Sequence, residues 1–263
     1  MNWIEIAVLI FSGLAVGFIN TLAGGGSVIS LSVLMLMGSP APVANGTNRI
    51  AVTIQTLTAA SVFKKKKVLD LKKGTILGIP SAIGSLLGAY IAVDINEAVF
   101  EKAFAVIMLV MLVFVFYNPD KYIYGKQHLI DKKVTPLQWL IFFVIGIYGG
   151  FVHVGIGYFL LAALVLNAGY DLVRANAVKV LIVLMYMPFS FLVFLWMSDI
   201  NWTYGLVMMI GSVVGAYIAS HLAVQKGIIF VKWAIVVVTV FMAGHFLGIY
   251  DIKEMFGAML GRK

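Results

Sequence analysis

Two groups of polar side chains, each with one cation, lie in otherwise apolar stretches of the chain. The first group is Asn45, Thr47, Asn48 and Arg49, and the second is Asn176 and Lys179. In each group a three-residue spacing places two of the polar side chains on one face of a helix. Charge within a bilayer costs roughly 2.5 kcal/mol or more, so it usually faces a bundle interior or an aqueous cavity. The groups therefore predict an anion-binding site, unless both cations extend to the membrane interface.

Glycine-rich breaks provide a second set of candidate ligands. The first break and its surroundings contain Asn20, Thr21, Gly24, Gly25, Gly26 and Ser27, and the second break runs from His153 to Gly157. A helix that begins at Ser27 would present unpaired N–H groups and a dipole that favours an anion, although such glycines also permit close helix packing. His153 could carry a proton, because imidazole titrates near physiological pH, or could be a hydrogen-bonded structural group. Gln55, Tyr158 and Tyr186 are further candidate donors to a cavity.

The composition is that of an integral membrane protein. Of the 263 residues, 62% are hydrophobic and 11% are charged, whereas soluble domains are about half apolar and a quarter charged. The apolar residues form blocks of about twenty, the length at which a helix crosses a hydrocarbon core of ~30 Å. We therefore expect a multi-pass protein of the cell membrane. The net charge of +8 includes six lysines between residues 64 and 73, which indicate a cytoplasmic loop and not a nucleic-acid site.

The apolar segments form two sets of five. The first set comprises residues 3–22, 28–37, 44–63, 75–93 and 98–117, and the second comprises 137–152, 158–166, 173–196, 203–224 and 228–249. The chain divides accordingly into a first membrane repeat (1–117), a cytoplasmic linker (118–136), a second membrane repeat (137–250) and a C-terminal tail (251–263). The second segment of each set has only about ten residues, so as a helix it extends ~15 Å and does not cross a bilayer.

An internal repeat relates the two sets. Residues 84–92 read GSLLGAYIA and residues 211–219 read GSVVGAYIA; Gly17 with Gly150, Gly38 with Gly169 and Ala44 with Ala175 are further matches in the same order. The lysine bias of loop 64–73 is absent from its counterpart and reverses at a turn predicted around Lys226, which indicates halves of opposite orientation. We predict an all-α polytopic membrane protein with two inverted-topology repeats of about five helical segments each, including broken or re-entrant half-helices. The lysines of the linker place it in the cytoplasm and both chain ends outside.

The break at residues 24–27, the proline-led Ala-Asn-Gly-Thr-Asn segment at 44–48 and the two Gly-Ser-x-x-Gly-Ala-Tyr-Ile-Ala words together resemble the TauE/SafE family of sulfite exporters. The resemblance covers nearly the whole chain and implies export of a small sulfur-containing oxyanion, such as sulfite or an organosulfonate. The duplication favours a secondary transporter that works by alternating access, with the two breaks meeting around the substrate. Backbone N–H groups and the amides would bind its oxygens, while Arg49 and Lys179 would supply charge.

Two other functions fit the same residues: a passive anion channel with a basic lining, and a membrane scaffold that transports nothing. An enzyme is not predicted, because the chain has no cysteine and none of the usual zinc-protease, phosphate-loop or serine-hydrolase motifs. We accordingly predict no catalytic residue, metal site or cofactor. The expected partners are a small anionic substrate and the lipid bilayer, with no nucleic acid. The sequence leaves open whether the protein forms a homodimer.

Overall fold

The computed structural model describes residues 1–94, 99, 127–130 and 132–246 of the chain. Its helices are α1 (Trp3–Leu22), α2 (Ser27–Leu36), α3 (Ala41–Lys65), α4 (Leu71–Asp94), α5 (Gln127–Ile130), α6 (Pro136–Phe151), α7 (Ile156–Ala162), α8 (Leu172–Met197) and α9 (Trp202–Phe246). Helix α7 continues into one π-helical turn, Ala163–Asn167. The predicted all-helical membrane fold with two short, interrupted helices is confirmed.

Four of the described helices are long and apolar enough to cross a bilayer. These spans are Trp3–Leu22, Leu71–Asp94, Leu172–Met197 and Trp202–Lys226. Helix α2 has ten residues and α7 has seven, so neither crosses a bilayer alone. In each half, therefore, the first helix ends at a glycine-rich break, and the chain continues as a short helix that does not cross the bilayer alone.

Local sequence explains where the helices begin. The Asn2 side chain accepts a hydrogen bond from the Glu5 N–H at the start of α1, and Thr135 does the same for Gln138 at the start of α6. Each cap is reciprocal, which satisfies two otherwise unpaired backbone donors. Helix α3 begins directly after Pro40, which agrees with the sequence prediction that this proline marks a helix start.

One predicted boundary is wrong. The sequence predicts separate segments on either side of a turn at Lys226, but α9 runs through that residue as one helix of 45 residues. Gly227 is the only helix-breaking residue type there, and a single glycine costs about 1 kcal/mol, too little to end a helix. The predicted segment 98–117, most of the linker and the tail 251–263 lie outside the described residues.

The helices form two bundles that exchange elements between the halves. Helix α1 packs most extensively along α9, which also contacts α3, while α4 packs along α6 and α8. The short helices follow their neighbours, α2 with α1 and α3, and α7 with α6 and α8. We call the first group (α1, α2, α3 and α9) the α1 bundle and the second (α4, α6, α7 and α8) the α4 bundle. Each bundle thus contains the first helix of one half and the fourth helix of the other.

The repeated words make these contacts. A Cβ atom on Gly88 would lie 1.8 Å from the Ile147 carbonyl oxygen of α6, and one on Gly215 would lie 2.1 Å from the Leu14 carbonyl oxygen of α1. Backbones that approach this closely exclude any side chain at the glycine, which is how small residues join membrane helices. The equivalent contact in both bundles agrees with the internal repeat. The inverted orientation of the two halves in the membrane stays a prediction.

Candidate functional site

The two glycine breaks contact each other backbone to backbone. Gly24 has a φ of 96° and Gly155 a φ of 67°, values in the left-handed region that favours glycine. A Cβ atom on Gly24 would lie 2.2 Å from the Cα of Gly157, and one on Gly157 would lie 2.4 Å from the Cα of Gly24. Glycine at these positions therefore allows the α1–α2 chain to cross the α6–α7 chain without a gap.

Lys179 extends from α8 to the end of α1. Its ammonium donates to the carbonyl oxygens of Asn20 and Thr21 at 3.1 and 3.0 Å, and its side chain is buried. These carbonyls belong to the last turn of α1, where backbone acceptors have no partner within the helix. The ammonium therefore satisfies them and complements the negative end of the helix dipole.

Arg49 makes the corresponding contact in the opposite direction. Its guanidinium donates from α3 to the carbonyl oxygens of Gly149 and Gly150, in the last turn of α6, at 3.4 and 2.5 Å. It also donates to the Ser190 hydroxyl at 2.6 Å and lies over the Phe194 ring, with 4.4 Å between Cζ and the ring centre. Both terminal nitrogens of the Arg49 guanidinium therefore make hydrogen bonds, and Arg49 has more partners than Lys179.

Each cation joins the two bundles. Arg49 belongs to the α1 bundle and binds the end of α6, while Lys179 belongs to the α4 bundle and binds the end of α1. Within the described residues the ion pairs are Met1 with Glu5 and Arg174 with Asp171, so no carboxylate there neutralises either buried cation. The interface between the bundles thus contains two basic side chains without an acidic partner among the described residues.

A small cavity lies at this crossing, beside Lys179. Its volume is about 10 Å³, room for roughly one water molecule. The lining comes from the two breaks (Asn20, Thr21, Gly24, His153, Ile156 and Gly157), from α3 (Gln55 and Thr56) and from α8 (Lys179, Val180 and Val183). Both bundles contribute to it, so any relative movement of the bundles changes its size.

Several buried side-chain amide atoms have no hydrogen-bond partner within the described structure. At the cavity these are both amide atoms of Gln55 and the Oδ1 atom of Asn20, and the amides of Asn48 and Asn176 are unpaired as well. A buried polar group without a partner costs about 1–3 kcal/mol, so proteins rarely retain one without a role. The cavity therefore combines a cation with hydrogen-bonding groups that a polar ligand could satisfy.

The internal repeat relates this cavity to a pair that is already hydrogen-bonded. Asn20 and His153 are 133 residues apart, like Gly17 and Gly150, and Gln55 and Tyr186 are 131 residues apart, like Gly38 and Gly169. In the second half His153 Nδ1 and the Tyr186 hydroxyl share a hydrogen bond of 2.6 Å. In the first half the equivalent amides of Asn20 and Gln55 keep unpaired atoms. The two halves are therefore chemically unequal at the crossing.

The structure gathers some of the predicted ligands and places others elsewhere. Asn20, Thr21, Gly24, His153 and Lys179 line the cavity, and Gln55 joins them as a candidate donor. Thr56 was not anticipated, because a threonine in an apolar helix carries no pattern that separates it from a packing residue.

The remaining predicted ligands do not line this cavity. The Asn45 amide donates to the Phe151 carbonyl at 2.9 Å, the Thr47 hydroxyl accepts from the Asn201 N–H at 3.0 Å, and the Ser27 hydroxyl accepts from the Asn20 amide at 3.1 Å. Gly25 packs against the Tyr158 ring, and Gly26 lies beside the Val16 backbone. Backbone donors at the start of α2 are partly used, since the Ile29 N–H donates to the Gly26 carbonyl.

Polytopic membrane helices that enclose a cationic cavity between two bundles are typical of a membrane transporter. The chain matches the family described as Sulfite exporter TauE/SafE over residues 9–246. It belongs to that family, and it is a multi-pass membrane transporter, as the sequence predicts.

Curated relatives of similar length carry transporter names. A probable membrane transporter protein of Haemophilus influenzae is 28% identical over 251 residues, covering 94% of this chain and 95% of the relative. The probable membrane transporter protein YfcA of Escherichia coli K12 is 25% identical over 246 residues, covering 94% and 90%. The probable membrane transporter protein ORF9 of a Sinorhizobium species is 27% identical over 242 residues, covering 90% of each chain. No solved structure matches the chain.

Replacement of Arg49 tests whether the buried cations hold the bundles together. An Arg49→Met variant leaves the last carbonyls of α6 and the Ser190 hydroxyl without their donor, so we expect a loss of about 3 kcal/mol and a melting temperature lower by roughly 5–10 °C. Thermal unfolding of the purified protein in detergent measures the change. Arg174→Met, at a surface arginine of α8, is the control and should shift melting by less than about 2 °C. Equal melting of the Arg49 variant and the parent protein would contradict this role.

Proposed function

We propose that this protein is a secondary transporter that exports small sulfur-containing oxyanions, such as sulfite or an organosulfonate, across the cell membrane by alternating access. The observation that carries the proposal is the Lys179 ammonium, which is buried beside a cavity at the crossing of the breaks and has no carboxylate partner among the described residues. An uncompensated buried cation favours an anion, and the family description points to sulfite. The expected topology, with the linker in the cytoplasm and both chain ends outside, belongs to the proposal.

The cavity chemistry suits an oxyanion with several acceptor oxygens. Lys179 supplies a charged donor, the Gln55 amide supplies an unpaired neutral donor, and the Thr21 hydroxyl lies in the same lining. Charge-assisted hydrogen bonds are roughly twice as strong as neutral ones, so Lys179 contributes most of the affinity and the neutral groups select for shape. Asn20 and His153 complete the polar part of the lining.

The two cations have different roles in this proposal. Arg49 uses its guanidinium on two carbonyls, a hydroxyl and a ring, so we assign it to the joint between the bundles. Lys179 has two carbonyl contacts and lines the cavity, so we assign it to the substrate. Among the predicted ligands, Asn45 and Thr47 then support helix ends and do not touch the anion.

The substrate and the last turn of α1 compete for one ammonium. Sulfite has four heavy atoms where water has one, so it enters only when the cavity widens. An anion oxygen that binds Lys179 replaces the carbonyls of Asn20 and Thr21, which releases α1 from α8. Binding thereby weakens one of the two cationic contacts between the bundles and permits them to rock about the glycine crossing.

Removal of the Lys179 charge tests the transport site. We expect Lys179→Met to lower counterflow of labelled sulfite into proteoliposomes at least roughly tenfold, because a charge-assisted bond contributes about 1.5–3 kcal/mol. Arg174→Met removes a surface cation from the same helix and should transport like the parent protein. Unlabelled sulfite inside the vesicles should accelerate uptake if the protein is a carrier. Flux without such acceleration would indicate a channel, and an unchanged rate in the Lys179 variant would reject the site.

Replacement of Gln55 separates substrate recognition from folding. Because Gln55 has no partner in the described structure, Gln55→Leu should leave the melting temperature unchanged or raise it. The same variant should raise the KM for sulfite about tenfold, since the substrate loses a hydrogen bond that only the complex makes. Thr58→Val is the control, because Thr58 lies on the same helix and bonds only to the Ile54 carbonyl. An unchanged KM in the folded Gln55 variant would exclude contact with the substrate.

A further inference from the structure

A second, larger cavity opens where α4 and α6 begin. Its volume is about 490 Å³, and it shares no lining residue with the cavity at the glycine crossing. Four lysines contribute to its lining: Lys72, Lys73, Lys132 and Lys133. Lys72 and Lys73 lie about sixty residues before Lys132 and Lys133 in the sequence, and the fold brings the two pairs into one lining.

Basic residues outnumber acidic ones in the described lining of this cavity, with four lysines and one aspartate. Asp70 is the acidic member of the lining, and its carboxylate accepts from the Tyr170 hydroxyl at 2.7 Å and from the Lys73 N–H at 3.0 Å. Neither ion pair of the described structure includes Lys72, Lys132 or Lys133. Lys72, Lys132 and Lys133 are exposed, so their ammonium groups are accessible to a ligand.

The buried Lys73 side chain joins two segments of the cavity lining. Its buried ammonium donates to the carbonyl oxygens of Leu129 and Ile130, both at 2.9 Å, and lies 5.8 Å from the centre of the Tyr170 ring. These contacts connect the end of α5 to the start of α4. Because Lys132 and Lys133 follow soon after Ile130, this contact brings them into the same lining as Lys72.

Part of the lining of this cavity is apolar. It consists of Ile76, Val134 and Trp139, and Trp139 is 40% exposed near the start of α6. Tryptophan is enriched at the level of lipid headgroups, and basic pockets between membrane helices on the cytoplasmic side suit acidic headgroups. The cavity therefore offers cations to a phosphate and an apolar surface to the glycerol and upper acyl chain.

We propose that this cavity binds the phosphate group of an anionic phospholipid, at a site separate from the substrate cavity. The lysines bind the phosphate oxygens, and Trp139 packs against the glycerol region of the same lipid. Free inorganic phosphate offers the same oxygens without the apolar part, so the apolar lining should favour the lipid.

Native mass spectrometry of the detergent-purified full chain tests the proposal, with phosphatidylglycerol, phosphatidylcholine and inorganic phosphate as separate probes. The parent protein should retain phosphatidylglycerol at least tenfold more tightly than phosphatidylcholine. A variant with Lys72→Gln, Lys132→Gln and Lys133→Gln should lose this preference, because each lysine near a membrane surface contributes measurably to anion binding. Competition between inorganic phosphate and phosphatidylglycerol for the parent protein would support the phosphate contacts. Tighter binding of phosphatidylglycerol than of inorganic phosphate would identify the lipid as the ligand, and the reverse order would overturn that assignment.

A charge-matched variant keeps the test specific. Lys64→Gln, Lys65→Gln and Lys66→Gln remove the same number of charges from the exposed end of α3, outside the cavity lining. This control should retain phosphatidylglycerol within about twofold of the parent protein. Melting in lipid-free detergent should be equal for both triple variants, which excludes unfolding as the cause. Equal loss of lipid in the two variants, or no preference for phosphatidylglycerol in the parent protein, would overturn the proposal.

Discussion

The structure depends on the hydrogen bonds between two buried cations and the carbonyl ends of two broken helices. A helix that stops inside a membrane leaves its last carbonyls without partners, and a cation inside a membrane lacks the hydration that stabilises it in water. Here the cations and the helix ends satisfy each other's hydrogen bonds, since Lys179 donates to the end of α1 and Arg49 donates to the end of α6. Because each bond joins one bundle to the other, the arrangement also decides how the two bundles are held together.

In the proposed mechanism the same hydrogen bonds couple substrate binding to relative movement of the two bundles. An anion can take an ammonium from a carbonyl in a low-dielectric interior, because hydrogen bonds between two charged groups there are stronger than bonds to neutral acceptors. The halves are unequal in this respect: Tyr186 already occupies the position equivalent to Gln55 with a hydroxyl bound to His153. In the proposed mechanism one half of the crossing is a joint and the other half is the substrate site.

Local signals in the sequence predict the elements, and long-range contacts account for most of what they miss. The range of α1, the start of α3 after Pro40 and the shortness of α2 follow from hydropathy, proline and glycine alone. The continuous helix through Lys226 does not, because a charge beside one glycine is typical of a turn but compatible with a helix. The sequence also singles out Arg49 and Lys179 as intramembrane cations. It cannot assign the backbone carbonyls that they bind, which lie 100 to 159 residues away along the chain.

Cysteine labelling tests the central claim most directly. The natural chain has no cysteine, so a Val183→Cys variant carries one thiol, in the lining of the cavity beside Lys179. Sulfoacetate or methanesulfonate should slow alkylation of that thiol by a maleimide in a concentration-dependent manner, and a further Lys179→Met substitution should abolish the protection. Alkylation that proceeds equally fast with and without either sulfonate would contradict a substrate site at the glycine crossing.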